Sequence, residues 1–193
     1  MTGIVLAGGK SERMGVPKAL LRLNGETFLE HAISVLRFLC QDIIIAIQPG
    51  QLLPEIKNCK IVTDEQPGLG PLAGLVASLA ASKDDWHLAL ACDLPLMRGE
   101  VLRLLTEREG EDAVVPRVGG RLQPLVAAYS RACLEPGREA LQSGQRALKA
   151  MFDRVVVKIL EEEELRKVDP ELVSFTNVNT WEEYESILKG LKR

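Results

Sequence analysis

The chain has 193 residues, 46% of them hydrophobic and 26% charged, and a formal net charge of −3. This composition suits one ordinary folded domain and excludes a disordered or collagen-like chain. It also lacks the basic footprint of a duplex-binding domain, so we expect no nucleic-acid partner. No apolar run approaches the roughly 18 residues of a membrane span, and residues 1–6 lack the basic region of a signal peptide. We therefore expect a cytoplasmic protein without a membrane partner.

Cysteine and histidine are sparse in this chain. The cysteines are Cys40, Cys59, Cys92 and Cys133, and they form no Cys-x-x-Cys pair. This spacing excludes a zinc ribbon and does not favour a disulfide scaffold. His31 falls on a predicted helix and His87 at the start of a predicted strand. We expect neither of them in a metal site or in a Ser-His-Asp arrangement.

Short β-branched runs alternate with longer amphipathic stretches. In chain order the sequence predicts a strand at 2–6, a helix at about 27–39, strands at 43–47 and 60–63, a helix at about 71–81, a strand at 87–91 and a helix at 100–107. There follow strands at 113–116 and 125–129, helices at about 133–141 and 147–152, a strand at 155–159, an exposed acidic run at 161–164 and a helix at about 180–191. This alternation predicts an α/β fold of three layers, with helices on both faces of a mostly parallel (mixed) sheet. No repeat or linker marks a boundary, so we predict a single domain over 1–193.

Ligands of such sheets bind outside the carboxyl ends of the strands, which directs attention to the loops after Leu6, Thr63 and Ala91. The first loop reads Leu6-Ala-Gly-Gly-Lys-Ser-Glu-Arg-Met-Gly-Val-Pro-Lys18. Its glycines allow backbone N–H groups to approach phosphate oxygens, and its cations are Lys10, Arg13 and Lys18. The pattern matches neither a P-loop nor a dinucleotide fingerprint. Solvated charges on a surface turn are the alternative interpretation.

The other two loops carry glycine and carboxylate groups. The second runs from Asp64 to Gly70 and precedes Pro71, which suits the first turn of a helix. In the third loop, Asp93 directly follows a hydrophobic strand, with Cys92 beside it. We expect Cys92 to be a small buried filler rather than a nucleophile.

Several segments, in order along the chain, resemble motifs of the molybdenum cofactor guanylyltransferases, a family of nucleotidyltransferases that join GMP to molybdopterin. They are Leu6-Ala-Gly-Gly-x-Ser-x-Arg-Met-Gly-x-x-Lys18, Gly70-Pro-Leu-Ala-Gly74, Cys92-Asp-Leu-Pro95, Gly119–Tyr129 and Ser174–Thr180. The Leu-Ala-Gly-Gly form is expected of the guanylyl enzymes, whereas cytidylyl relatives usually carry Ala-Ala-Gly. The resemblance implies a Rossmann-like nucleotide-diphospho-sugar transferase fold, with a nucleotide-binding part at about 1–110 and an acceptor-binding part at about 111–193.

The resemblance also implies roles for the matching residues. The catalytic residues would be Arg13, Lys18 and Asp93, and Asp93 would be the protein ligand of Mg²⁺, an ion that needs few carboxylates when triphosphate oxygens are present. The nucleotide-binding residues would be Leu6, Ala7, Gly8, Gly9, Gly15, Lys18, Asp64, Gly70 and Asp93. The acceptor-binding residues would be Arg121, Gln123, Asn177 and Asn179.

Four positions have a second interpretation. Asp64 could accept two hydrogen bonds from guanine, or it could cap the turn in which it lies. Asn177 and Asn179 face alternate ways in an extended segment, so one would touch the ligand and the other would brace the loop. Thr180 also begins a capping box with Glu183, which makes this stretch a helix start as well as a motif.

The resemblance implies transfer of GMP from GTP to the phosphate of molybdopterin, with molybdoenzymes or cofactor-delivery proteins as further partners. The chain departs from the family pattern at Trp181, where proline is usual, and at Ala46-Ile-Gln-Pro49, where some members place an asparagine. The alternatives are a cytidylyltransferase acting on molybdopterin, a nucleotidyltransferase for another small phosphate, and a GTP-binding assembly factor without turnover.

Overall fold

A computed structural model describes residues 1–8, 14–54, 56–63 and 68–190. The strands are β1 (Thr2–Leu6), β2 (Arg22–Leu23), β3 (Glu26–Thr27), β4 (Asp42–Ile47), β5 (Lys60–Thr63), β6 (Trp86–Ala91), β7 (Ala113–Val118), β8 (Arg121–Leu122), β9 (Val126–Ser130) and β10 (Val157–Leu160). The α-helices are α1 (Phe28–Arg37), α2 (Pro71–Ala81), α3 (Gly99–Leu104), α4 (Leu134–Gln142), α5 (Glu162–Leu165) and α6 (Trp181–Gly190). None of the helices in these described ranges has the length and apolar character needed to cross a membrane.

The main sheet has the strand order β10-β7-β9-β6-β1-β4-β5, and β8 pairs with β7 outside this path. β1 is central and runs parallel to both β4 and β6, whereas β9 runs antiparallel to β6 and β7. The predicted mostly parallel, mixed sheet is therefore confirmed. Because β1, β4, β5 and β6 are parallel, the loops after Leu6, Thr63 and Ala91 leave the same edge of the sheet.

Helices cover both faces of the sheet. Val5 belongs to an apolar cluster with Leu29 and Leu36 of α1, whereas the neighbouring Ile4 belongs to a second cluster with Leu72 and Leu75 of α2. Successive side chains of a strand point to opposite faces, so this division places α1 and α2 on opposite sides of the sheet. The three predicted layers are confirmed, and the continuous apolar runs of the central strands follow from burial on both faces.

The start of α1 follows its sequence signal closely. The Glu30 N–H donates to Oγ1 of Thr27 at 3.1 Å, and the Thr27 N–H donates to Oε2 of Glu30 at 2.7 Å, which is the capping box that the Thr-x-x-Glu spacing of the sequence favours. The hairpin of β2 and β3 just before it is absent from the predicted elements. Its turn, Asn24-Gly25, has φ angles of 52° and 90°, which is the geometry that the Asn-Gly pair favours.

The C-terminal third differs from expectation in its boundaries. The helix predicted at 147–152 is a 3-10 helix, Leu148–Arg154, and the strand predicted at 155–159 is β10, which begins two residues later. The acidic run 161–164 is mostly helical, because the Glu161 side chain caps α5. Its exposed carboxylates pair with arginines, as between Arg117 and Glu161 at 2.7 Å, so the run is a solvated face as expected.

Candidate active site

A cavity of about 220 Å³ opens at the carboxyl edge of the sheet. Its described lining consists of residues from the first loop, the third loop, the start of α2 and two connecting segments: Leu6, Ala7, Gly8, Pro17, Lys18, Ala19, Gln51, Pro71, Ala91, Cys92, Asp93 and Leu125. The first and third of the loops that the sequence predicts to hold a ligand therefore meet at one site, beside the start of α2.

The ammonium group of Lys18 lies at the centre of the polar contacts in this cavity. Lys18 begins a short 3-10 helix, Lys18–Leu20, directly after Pro17. Its Nζ donates to Oδ1 of Asn179 at 2.6 Å and lies 3.4 Å from Oδ2 of Asp93. The Lys18 and Asp93 side chains are only 20% and 23% exposed. Their attraction is therefore screened less than that of a surface pair.

Backbone contacts fix the position of Asp93. The Cys92 N–H donates to the Leu6 carbonyl at 3.3 Å, which ties the end of β6 to the end of β1. On the other side, the Val178 N–H donates to the Asp93 carbonyl at 3.0 Å. The segment that carries Asn179 thus packs directly on the loop that carries Asp93.

Cys92 lines the cavity but is not a candidate nucleophile. Burial and the adjacent Asp93 carboxylate raise the pKa of its thiol to about 12, and the opposing effect of Lys18 is smaller. The thiol therefore stays protonated at neutral pH, and only the thiolate is nucleophilic. The interpretation of Cys92 as a buried filler is supported.

A second, smaller cavity of about 110 Å³ adjoins the first and shares Leu6, Gly8 and Pro71 with it. Gly70 lines this cavity in a left-handed conformation, with φ of 75°. A Cβ atom there would lie 2.9 Å from the Arg146 carbonyl oxygen, so only glycine fits without rearrangement. The close approach of Gly70 to the Arg146 backbone explains why a glycine precedes α2.

Gln51 is a site residue that no sequence pattern predicts. Its Nε2 donates to the Ala7 carbonyl at 2.9 Å, and its Oε1 accepts from the Gln48 N–H at 3.3 Å. The side chain thereby joins the loop after β4 to the start of the first loop. Gln48 lines the smaller cavity. A lone glutamine in a turn carries no distinctive spacing, which is why pattern reasoning misses it.

The residues expected to bind an acceptor are only partly brought together. Asn179 contacts Lys18, whereas Asn177 is exposed. Arg121 is exposed on β8, and Gln123 is half-buried with its N–H donating to the Pro116 carbonyl at 2.8 Å. Arg121, Gln123 and Asn177 are not among the described residues that line the two cavities. Their assignment to acceptor binding stays a prediction.

Gly9, Lys10, Arg13 and Asp64 lie outside the described residues. Gly15 is described, and it is exposed with φ of 67°, a conformation that favours glycine. The structure thus brings Lys18 and Asp93 together at one cavity, their catalytic roles stay predictions, and no geometry is assigned to Arg13.

The two histidines lie where the sequence predicts. His31 is half-buried on α1, with Nε2 3.1 Å from the Met97 carbonyl oxygen. His87 is buried at the amino-terminal end of β6, the end opposite to Asp93. Among the described residues, no group of His, Cys, Asp and Glu side chains forms a cluster that could enclose a metal ion.

Central parallel strands with a cavity at their carboxyl edge are the arrangement by which open-sheet α/β proteins bind their ligands. The profile of the MobA-like NTP transferase domain matches residues 3–166. The chain belongs to this family.

Its relatives cover its full length. The chain is 35% identical to a molybdenum cofactor guanylyltransferase of Desulfosudis oleivorans, over 100% of this chain and 96% of the relative. It is also 35% identical to a probable molybdenum cofactor guanylyltransferase of Bacillus mycoides, over 98% of this chain and 96% of that protein. The crystal structure of molybdopterin-guanine dinucleotide biosynthesis protein A from Archaeoglobus fulgidus superimposes with a TM-score of 0.85 at 26% identity, covering 100% of this chain and 99% of that one.

Proposed function

We propose that this protein transfers GMP from GTP to the terminal phosphate of molybdopterin and releases pyrophosphate. The observation that carries the proposal is the approach of Lys18 Nζ to Asp93 Oδ2, 3.4 Å, in a cavity lined by described residues at both ends of the first loop. Full-length relatives named molybdenum cofactor guanylyltransferase support the choice of nucleotide and acceptor.

In this proposal the chain accelerates the reaction by positioning the two substrates and by stabilising negative charge. The acceptor phosphate attacks the α-phosphorus of GTP in line, the new P–O bond forms on the acceptor oxygen, and the bond to pyrophosphate breaks. An acceptor phosphate is already ionised at neutral pH, so no general base is required. Lys18 stabilises the negative charge that develops at the α-phosphate, a contribution worth about 10²–10³ in rate for a preorganised group. Asn179 holds the Lys18 ammonium in place.

Asp93 suits a divalent cation that is shared with the substrate. Mg²⁺ is commonly held by one or two carboxylates and completes its shell with phosphate oxygens and water. A single half-buried carboxylate facing the cavity fits this mode, and the described residues offer no all-protein cage. When bound, the cation would neutralise charge on the triphosphate. We assign Mg²⁺ as this cofactor, with Asp93 as its protein ligand.

The two cavities support an assignment of the nucleotide contacts. We assign the triphosphate to the first cavity, which Leu6, Ala7 and Gly8 line together with Lys18. The base is assigned to the smaller cavity, where the glycines Gly8, Gly70 and Gly74 form part of the wall. Roles for Gly9, Arg13, Gly15 and Asp64 in nucleotide binding, a cytoplasmic location, a single domain and delivery to molybdoenzymes stay predictions.

The test is the mass of the product. The protein is incubated with Mg²⁺ and molybdopterin in the presence of GTP or CTP, and pyrophosphate release is followed in parallel. A GMP adduct of molybdopterin from GTP alone supports the proposal. A CMP adduct would instead identify a cytidylyltransferase, and tight GTP binding without any adduct would identify an assembly factor.

A further inference from the structure

Trp181 has no role among the assigned active-site residues, but it makes a contact close to them. It is the first residue of α6, and its indole Nε1–H donates to the Met14 carbonyl at 3.2 Å, across 167 positions of the chain. Met14 lies four residues before Lys18, and its side chain is 5% exposed. A side chain from the C-terminal helix thus fixes the backbone just before the catalytic lysine.

A second contact holds the other end of the same segment. Tyr184, one turn further along α6, donates its hydroxyl to the Arg22 carbonyl at 2.5 Å. Its ring packs edge-on against Trp181 at 5.7 Å and against Phe28 at 6.0 Å. Edge-to-face aromatic pairs at these distances are favourable and orient the rings. α6 therefore holds segment 14–22 at both ends.

Segment 14–22 is short and internally bonded, so its anchors determine the position of Lys18. The Leu20 N–H donates to the Pro17 carbonyl at 2.9 Å, and the Leu21 N–H donates to the Lys18 carbonyl at 3.0 Å. Pro17 restricts its own backbone as well. A displacement of Met14 would consequently be passed on to the lysine instead of being absorbed by an extended loop.

We propose that Trp181 is a positioning residue for nucleotidyl transfer: its indole N–H holds Met14 so that the Lys18 ammonium stays beside Asp93. The inference rests on the proposed function. Trp181 is not among the described residues that line the cavity, so it acts through the segment it anchors. Small misplacements of a reacting group lower turnover strongly, even when their cause lies away from the chemistry.

The first arm of the test is Trp181→Phe, which keeps an aromatic ring beside Tyr184 and removes the N–H donor. We expect kcat for pyrophosphate release to fall about three- to tenfold, the effect of losing one hydrogen bond, with KM for GTP changed less than kcat. The control is Trp86→Phe, because Trp86 lies at the amino-terminal start of β6, stacked with Arg108. Its kcat should equal that of the wild type.

Thermal unfolding of both variants separates a positioning role from a purely structural one. A structural role alone would lower the melting temperature of Trp181→Phe and leave kcat unchanged well below that temperature, and this result would overturn the inference.

The second arm needs no transfer activity. The chain contains two tryptophans, so Trp86→Phe leaves Trp181 as the sole indole reporter. Titration with GTP and Mg²⁺ should change its emission saturably, because the ligand binds at the segment that Trp181 holds. If the wild type showed no acceptor-dependent transfer, the proposed function would be refuted. The titration would still test whether Trp181 responds to nucleotide binding. Nucleotide binding, measured independently by calorimetry, without any change in emission would overturn the inference.

Discussion

Lys18 and Asn179 meet across 161 positions of the chain, with Nζ of the lysine donating to Oδ1 of the asparagine at 2.6 Å. An amide oxygen orients an ammonium group without cancelling its charge, unlike a carboxylate. The Lys18 ammonium is thereby directed by the amide oxygen of Asn179 as well as by the Asp93 carboxylate, whose Oδ2 lies 3.4 Å away. The closing motif of the chain thus completes the site that the first loop begins.

Asn179→Ala should lower kcat about tenfold, because a hydrogen bond to a charged group is worth more than a neutral one. Asn177→Ala is the matched comparison, since Asn177 is exposed two residues away. It should affect only the KM for the acceptor. Steady-state kinetics with GTP and acceptor varied in turn distinguishes the two, and equal kcat values for both variants would contradict the bracing role of Asn179.

Lys18→Ala should reduce kcat about 10²–10³-fold and weaken GTP binding much less, because its charge matters most as negative charge develops in the transition state. The measurement compares turnover with the dissociation constant of GTP from calorimetry. A variant that loses affinity and keeps its kcat would make Lys18 a binding contact only.

Asp93→Ala should abolish Mg²⁺-dependent turnover, with a loss of about 10²-fold or more, while the fold is retained. Asp85→Asn is the control, because Asp85 is exposed before the opposite end of the same strand. The dependence of rate on Mg²⁺ concentration should stay as in the wild type for the control. Unchanged Mg²⁺ dependence in Asp93→Ala would remove the metal assignment.

Cys92→Ala should leave kcat within about twofold of the wild type and lower the free energy of unfolding by about 1 kcal/mol, a typical core substitution. The reason is the thiol pKa of about 12, which keeps Cys92 protonated and unreactive at neutral pH. Activity and urea denaturation are measured on the same preparation. A complete loss of turnover in a folded variant would restore the nucleophile interpretation.

His87 predicts a pH dependence of stability. Burial lowers its pKa below the ordinary 6.5, and this outweighs the opposing hydrogen bond to the Tyr129 carbonyl. The unfolded state binds a proton first as the pH falls, so the folded state loses stability between pH 6.5 and the lower folded pKa. Well above pH 6.5, His87 is neutral in both the folded and the unfolded state, so it causes no loss of stability there. Asp84, with a pKa below its ordinary 3.8, titrates outside this pH window.

Urea denaturation at a series of pH values tests this expectation. His87→Asn replaces the imidazole by a neutral amide that can still donate to the Tyr129 carbonyl. The variant should show a flatter decline of stability from pH 7 to pH 5 than the wild type. Parallel declines in the two proteins would show that His87 is not the group responsible.

The layered fold and the location of the site follow from local sequence. Strands buried on both faces need nearly continuous apolar runs, and the segments 2–6, 43–47 and 87–91 are mostly apolar. Parallel strands then bring their following loops to one edge, which is why Lys18 and Asp93 could be assigned to a common site. The Thr27 capping box is equally local, since its two partners are three residues apart.

Only the tertiary structure decided which residues hold the site in place. Gln51, Val178 and Trp181 each bond to a segment far away in the chain, and no spacing or periodicity encodes such a contact. The same holds for the 3-10 helix at Leu148–Arg154, where local propensity does not choose between helical types. Local sequence patterns predict helices and strands because these elements depend mainly on residues that are close together in the chain. Contacts between loops depend on how those elements pack, which is a property of the whole chain.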